Sequence, residues 1–343
     1  MALAQIETDL ALKYSFKLYK ITYTSITPSG ESTILSGAVF VPVTTAALPL
    51  FSFQHGTQAK RNEVVSNKFL FLYEGITGGI GASLGYVSCI PDYLGMGDSQ
   101  LTQAYLDNKT SAATVVDIIL ATREFCSKNN IILNNKNFIG GYSQGGYVTM
   151  AAQKSIEEDY SDKITLTASA PMAGPFDMEN MFNGLLASGE YSSPGLPAFL
   201  LYAYNTYYKI ADLSAIFASP YAAKINGLFN GSKTIGEINP ELTTDLKLLF
   251  TPSFFTNFLE NKNSALWTAV KQNEVLTWTP KSPILLLHSK ADGTVPYANS
   301  EKAAEYFKSK GFNKVTLMPL DGLDHIQAAV PATLAMFAWF QTY

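Results

Sequence analysis

Little in this 343-residue chain is in excess. Charge is nearly balanced, with 24 Lys and Arg against 28 Asp and Glu, a formal net charge of −4. That balance suits a soluble globular protein and gives no electrostatic case for a nucleic-acid partner. Long apolar runs are missing. The nearest, "AAVPATLAMFAWF", is shorter than the roughly 18 residues a membrane span needs and carries a proline, so no transmembrane segment is expected. Cysteine is scarce. Cys89 falls in a strand-like run and Cys126 in a helical one, which reads as two buried free thiols rather than a disulfide and leaves the compartment open. The start, "MALAQIETDLALKYS", has no basic stretch followed by a long apolar one, so no export signal is read there. A mature form of a secreted or cell-envelope protein fits the same residues.

What is plentiful is core material: 47% of residues are hydrophobic and 13% aromatic, enough for one large α/β domain or one domain with a sizeable insertion. "FKLYKITYTSIT", the turn "PSGE" and "STILSGAVFVPV" read as an antiparallel hairpin. Short apolar strands follow at "LPLFSFQHGT" and "GYVSCIPDY", then a helix at "SAATVVDIILATREFCSKNN". "NFIGGYS" reads as a strand, "QGGYVTMAAQKSIEEDY" as a helix and "KITLTASAPMAG" as a strand. From Met178 to Ser282 the alternation stops in an aromatic-rich stretch too long to be a structureless loop, which predicts helices. It resumes with the strand "PILLLHSKAD", the helix "YANSEKAAEYFKSKG", the strand "KVTLMPL" and a closing helix. Alternation of this kind predicts a mostly parallel sheet covered on both faces. The interruption then becomes a helical cap, 178–282, inserted at the edge of the sheet over the rim where such sheets bind ligands. The core is residues 1–177 and 283–343.

"Gly141-Tyr142-Ser143-Gln144-Gly145" fits G-x-S-x-G, with a strand before it and a helix after. In that setting the serine turns sharply out of the strand in a strained conformation. Glycines on either side are needed because Cβ atoms would collide with the neighbouring strand and helix, and Gly140 and Gly146 extend the clearance. The next amide, Gln144 N–H, is left free at a helix start, where it can donate to an oxyanion. The plain alternative is a glycine-rich turn with a bystander serine.

A serine hydroxyl needs a base. The chain has three histidines. His55 precedes the first helix, His288 sits at the end of a strand before the acid, and His325 lies in "DGLDHIQAA", after the last strand. Triads on such sheets run in the order Ser, acid, His, which His325 alone satisfies. The plain alternative for it is a helix N-terminal residue with no chemical role. For the acid, Asp292 in "KADGTVP" follows a strand and is preferred; Asp177 ranks second, and Asp324 is too close in sequence to face the histidine well. A second oxyanion amide is read at "Phe53-Gln54-His55-Gly56-Thr57", with Thr57 N–H assigned and Gln58 as the alternative. His55 is read as bracing that loop, and Asp92 as a loop-bracing carboxylate beside Tyr93, which is expected to border the substrate.

With "FSFQHGT", "PDYLGMGDS", "GYSQGG", "HSKADGTVP" and "GLDHIQAA" in this order, the chain resembles the α/β-hydrolase superfamily over most of its length. Within it, the chain looks most like the secretory-lipase-type and related bacterial serine esterases and lipases, a likeness that implies a helical cap inserted after strand six. The resemblance implies Ser143 as nucleophile, Asp292 as acid and His325 as base. It also implies carboxylic-ester hydrolysis through an acyl-enzyme, a small-molecule or lipid ester as substrate, and no metal or cofactor. The acid loop departs from the commoner His-Gly before its aspartate, reading "HSKAD" instead. Two other readings are a prolyl-oligopeptidase-type peptidase, which shares the elbow and the triad order, and a non-catalytic hydrolase-fold binding protein. No propeller-like repeat precedes the catalytic segment, against the first, and all three triad positions are filled, against the second.

Overall fold

The computed structural model describes residues 10–69 and 72–343. Residues 1–9, which make up most of the stretch read for an export signal, lie outside the described residues. β1 (Phe16–Ile26) and β2 (Ser32–Pro42) form the expected hairpin, pairing Phe16 with Pro42 and Ile26 with Ser32. β3 (Leu48–Gln54), β4 (Val87–Pro91), β5 (Leu133–Tyr142), β6 (Ala168–Met172), β7 (Ile284–Ser289) and β8 (Val315–Leu320) complete one eight-stranded sheet in the order β1-β2-β4-β3-β5-β6-β7-β8. β2 pairs antiparallel with β1 and β4, and every pair from β4 to β8 is parallel.

Strands inside a parallel sheet are covered on both faces, so they read as continuous apolar runs. β4, β6 and β7 are buried at every residue, whereas the edge strand β1 alternates. α1 (Tyr73–Ser83) and α8 (Ala329–Phe340) cover one face, where Phe40, Phe51, Phe138, Phe337 and Phe340 pack together. α2 (Asn108–Lys128), α3 (Gln144–Asp159) and α7 (Ala298–Ser309) cover the other, around Val116, Ile119, Met150 and Phe307.

Between β6 and β7 the chain is helical, as the sequence predicts. It forms α4 (Met178–Ser188), α5 (Gly195–Tyr208), several one-turn helices, and α6 (Ala265–Gln272). Its aromatics join the apolar cluster on that second face of the sheet: Phe199 and Phe229 stack at 5.1 Å between centroids, and Trp267 is fully buried. The expectation of an insertion at the sheet's edge needs correction. The helices leave and rejoin between two neighbouring interior strands, with β8 still beyond. β6 and β7 pair in parallel with Ser169 opposite Ile284, and just past the end of β6 Ala173 N–H donates to Leu287 O at 3.0 Å. Among the described residues no helix is long and apolar enough to cross a membrane.

Candidate active site

The chain leaves β5 at Tyr142, turns at Ser143 and enters α3 at Gln144. Ser143 has φ 60° and ψ −121°, a conformation that costs a non-glycine residue about 1–3 kcal/mol. Surrounding bonds hold it there. Ser143 N–H donates to Met172 O on β6 at 2.9 Å, and its carbonyl accepts from Gly146 N–H at 2.9 Å. The flanking glycines admit no side chain. A Cβ on Gly145 would lie 1.9 Å from the Gln54 carbonyl oxygen, and one on Gly141 would lie 2.5 Å from that of Gly145.

The turn points the hydroxyl at His325. His325 Nε2 lies 2.9 Å from Ser143 Oγ, and its Nδ1 lies 2.5 Å from Asp292 Oδ2. The order Ser143, His325, Asp292 is therefore a continuous hydrogen-bonded line across three separate segments of chain. Asp292 sits in the loop after β7. Its Oδ1 accepts from Thr294 N–H and Val295 N–H, both at 2.8 Å. Burial pushes its carboxyl upward, but hydrogen bonds from His288 and His325, the charge of His325 and the Val295 amide outweigh that. The net result lies below the ordinary carboxylate range. His325 is also held through its backbone, whose carbonyl accepts from Tyr142 Oη at 2.7 Å.

Asp177 and Asp324, the other acid candidates, make their bonds elsewhere. Asp177 is the N-cap of α4, accepting from Asn180 N–H at 3.1 Å. Asp324 caps its own turn through Ile326 N–H and Gln327 N–H. His55 presents both ring nitrogens to carbonyl oxygens, those of Gly56 at 2.7 Å and Asp92 at 3.1 Å, and stacks on Tyr93 at 3.8 Å. Asp92 is fully buried and accepts from Ser36 Oγ at 2.6 Å and from Ser66 Oγ and N–H. Tyr93 does not border the cleft as expected. It is buried beneath the loop, its hydroxyl donating to His55 O at 3.0 Å. The two cysteines are free and buried.

His288 has a place the sequence reading did not give it. Fully buried at the end of β7, it reaches the same Asp292 oxygen as His325, at 3.1 Å. The signal was its spacing, four residues before Asp292 at a strand end. Tyr142 was likewise read only as a filler position of the pentapeptide.

The loop after β3 meets the serine from the other side. A Cβ on Gly56 would lie 3.9 Å from Ser143 Cβ, and Thr57 Oγ1 bonds Tyr105 Oη at 2.8 Å. Among the described residues neither Thr57 N–H nor Gln144 N–H donates to another group. Thr57, Ser143 and Gln144 form part of the floor of a cleft of about 740 Å³. One wall is apolar, from Leu106 and from Leu196 and Leu200 of α5. Asp177 at the start of α4 and Glu301, Lys302 and Glu305 of α7 also line the cleft. Among the described residues no group of three or more His, Cys, Asp or Glu side chains could hold a metal ion.

Solved structures share this fold. A Legionella pneumophila protein assigned as a hydrolase is 28% identical with a TM-score of 0.89, covering 100% of this chain and 95% of its own. The rice cell wall degrading esterase LipA of Xanthomonas oryzae is 27% identical with a TM-score of 0.85, covering 99% and 92%. Candida antarctica lipase A in its closed state shares the fold at 16% identity and a TM-score of 0.74, covering 94% and 76%. Among curated protein sequences none matches. The secretory lipase profile matches residues 80–342, which takes in β4 to α8 and with them Ser143, Asp292 and His325. With most of its length inside that profile and an α/β-hydrolase sheet beneath it, this carboxylic ester hydrolase belongs to the secretory lipase family.

Proposed function

We propose that the protein is a capped serine esterase or lipase in which Ser143 is the nucleophile, His325 the general base and Asp292 the acid. The observation that carries the reading is the unbroken line from Ser143 Oγ through both nitrogens of His325 to Asp292 Oδ2, at 2.9 and 2.5 Å, with Ser143 held at φ 60°. His325 Nε2 takes the hydroxyl proton as Oγ attacks the ester carbonyl. The ionised Asp292 holds the Nδ1 proton and stabilises the imidazolium without itself becoming protonated. Gln144 N–H and Thr57 N–H receive the oxyanion. The imidazolium then protonates the leaving alcohol, and water activated by His325 hydrolyses the acyl-Ser143 intermediate.

Residues 1–177 and 283–343 make the catalytic core in this proposal, and 178–282 the cap that supplies much of the cleft. The acyl chain lies on the apolar wall of Leu106, Leu196 and Leu200, where burial is worth about 0.8 kcal/mol per methylene. The alcohol faces Asp177, Glu301 and Glu305, which outnumber Lys302 beside them and favour a neutral or cationic leaving group over an anionic one. Export from the cell, the property that names the family, is part of the proposal.

Turnover of p-nitrophenyl butyrate tests it. Ser143→Ala and His325→Ala each reduce kcat by about 10³-fold or more with the fold intact, by analogy with removal of a triad member elsewhere. A folded Ser143→Ala protein that retains wild-type turnover overturns the assignment. Faster turnover of aminoacyl-p-nitroanilides than of the ester replaces it with a peptidase.

A further inference from the structure

The triad assigned above leaves one buried titratable side chain at its border without a role. His288 is 0% exposed and makes three polar contacts. Its Nε2 faces two acceptors, Asp292 Oδ2 at 3.1 Å and the Val295 carbonyl at 2.9 Å. Its Nδ1 faces Ser300 Oγ at 2.8 Å. A nitrogen between a carboxylate and a carbonyl must carry a proton, so Nε2 is the donor. Ser300, also fully buried and in the first turn of α7, can then donate its hydroxyl to Nδ1 and fix the ring.

We infer that His288 is a positioning residue for ester hydrolysis, its Nε2–H sharing Asp292 Oδ2 with His325 and holding that oxygen in line with the His325 ring. This inference rests on the triad reading above. With Oδ1 held by two backbone amides and Oδ2 by two imidazoles, every side of the carboxylate is engaged. A second donor on Oδ2 also spreads the negative charge. Asp292 then stays an anion while His325 cycles between neutral and charged. The contact is framed by regular structure on two sides, because His288 is on β7 and Ser300 belongs to α7, with Val295 in the loop between them. The departure "HSKAD" from His-Gly leaves this histidine four residues before the acid, where the strand end aims it back at the carboxylate. A histidine that merely filled space would need only the Val295 and Ser300 contacts.

The test separates the Nε2–H donor from bulk. Gln carries an amide nitrogen at the reach of His Nε2; Met fills similar volume without a donor. In His288→Met, kcat for p-nitrophenyl butyrate falls about tenfold or more while KM stays within twofold, the scale for losing a hydrogen bond to a charged group. His288→Gln recovers kcat to within about threefold of wild type. Equal kcat values in His288→Met and wild type, or equal losses in the Met and Gln variants, overturn the inference. If His288→Met does not fold, Ser300→Ala decides. A fall in kcat at constant KM supports the role, and an unchanged kcat overturns it. Ser143→Ala runs beside them. If it is inactive while His288→Met is unaffected, only the His288 role fails; if it is active, the triad reading fails first.

Discussion

The hydroxyl of Tyr142 donates to the backbone carbonyl of His325 at 2.7 Å, so the residue immediately before Ser143 holds His325 in place. Burial pushes the Tyr142 phenol well above its ordinary value, with the charge of Asp292 adding to the effect, so the group remains a donor throughout the working pH range. The strand that delivers Ser143 and the loop that delivers His325 are thereby tied together directly. Tyr142→Phe removes that tie and leaves the ring. We expect kcat to fall about fivefold, the value of one net hydrogen bond near 1 kcal/mol, with KM unchanged. Steady-state kinetics on p-nitrophenyl butyrate measure it.

The clearance around the elbow can be tested by filling it. In Gly145→Ala the new Cβ would fall 1.9 Å from a backbone oxygen of β3, a neighbour that cannot swing aside as a side chain would. We expect a loss of about 3 kcal/mol or more in urea unfolding, at the upper end for overpacking, together with loss of activity. Gly227→Ala is a useful control, since nothing lies within 4 Å of a Cβ there.

Much of this site is visible in the sequence because its parts are local. The elbow needs small residues at fixed offsets from one serine, and the base and acid each follow a strand in a fixed order. Other parts are decided by packing between distant segments. α1 reads "YEGITGGIGAS", whose four glycines argue against a helix. It forms because it lies flush on the sheet: a Cβ on Gly78 would come 2.6 Å from the Phe40 ring. Tertiary contact overrides local preference there. Tyr93 was misread for the same reason, since its position beside Asp92 gives no hint that its hydroxyl turns back to His55. The insertion between β6 and β7 could not be located laterally, because strand order is not written in any one segment.

Glu274, just past α6, gives a pH prediction at the root of the inserted helices. It accepts from Glu179 N–H at 2.8 Å near the start of α4. Burial raises its carboxyl to about 7; the Glu179 amide opposes this, and the charges of Asp177 and Glu179 add to it. The folded value therefore lies above the unfolded one. Native Glu274 binds its proton more tightly, so stability falls as pH rises from the unfolded value toward 7 and levels off above it. Glu274→Gln, which keeps the acceptor and abolishes the charge, should match wild type in Tm near pH 4. It should exceed wild type by a few degrees at pH 8. Equal Tm values at both pH values would contradict the assignment.

The acidic side chains that line the cleft predict selectivity for the alcohol. Butyryl esters of glycerol and of glycolate share an acyl group and differ in the charge of the leaving group. We expect a several-fold higher kcat/KM for the neutral ester at low salt, narrowing at high salt as the exposed carboxylates are screened. Glu301→Gln combined with Glu305→Gln should reduce the difference, because both side chains face the cleft.

The central claim is that an acyl group passes through Ser143. Acid-quenched reaction with a slowly deacylating p-nitrophenyl ester, followed by peptide mass spectrometry, measures it. The account predicts one acyl group per chain, on Ser143, absent in Ser143→Ala. Full turnover with no adduct, or an adduct on another residue that persists in Ser143→Ala, would contradict it.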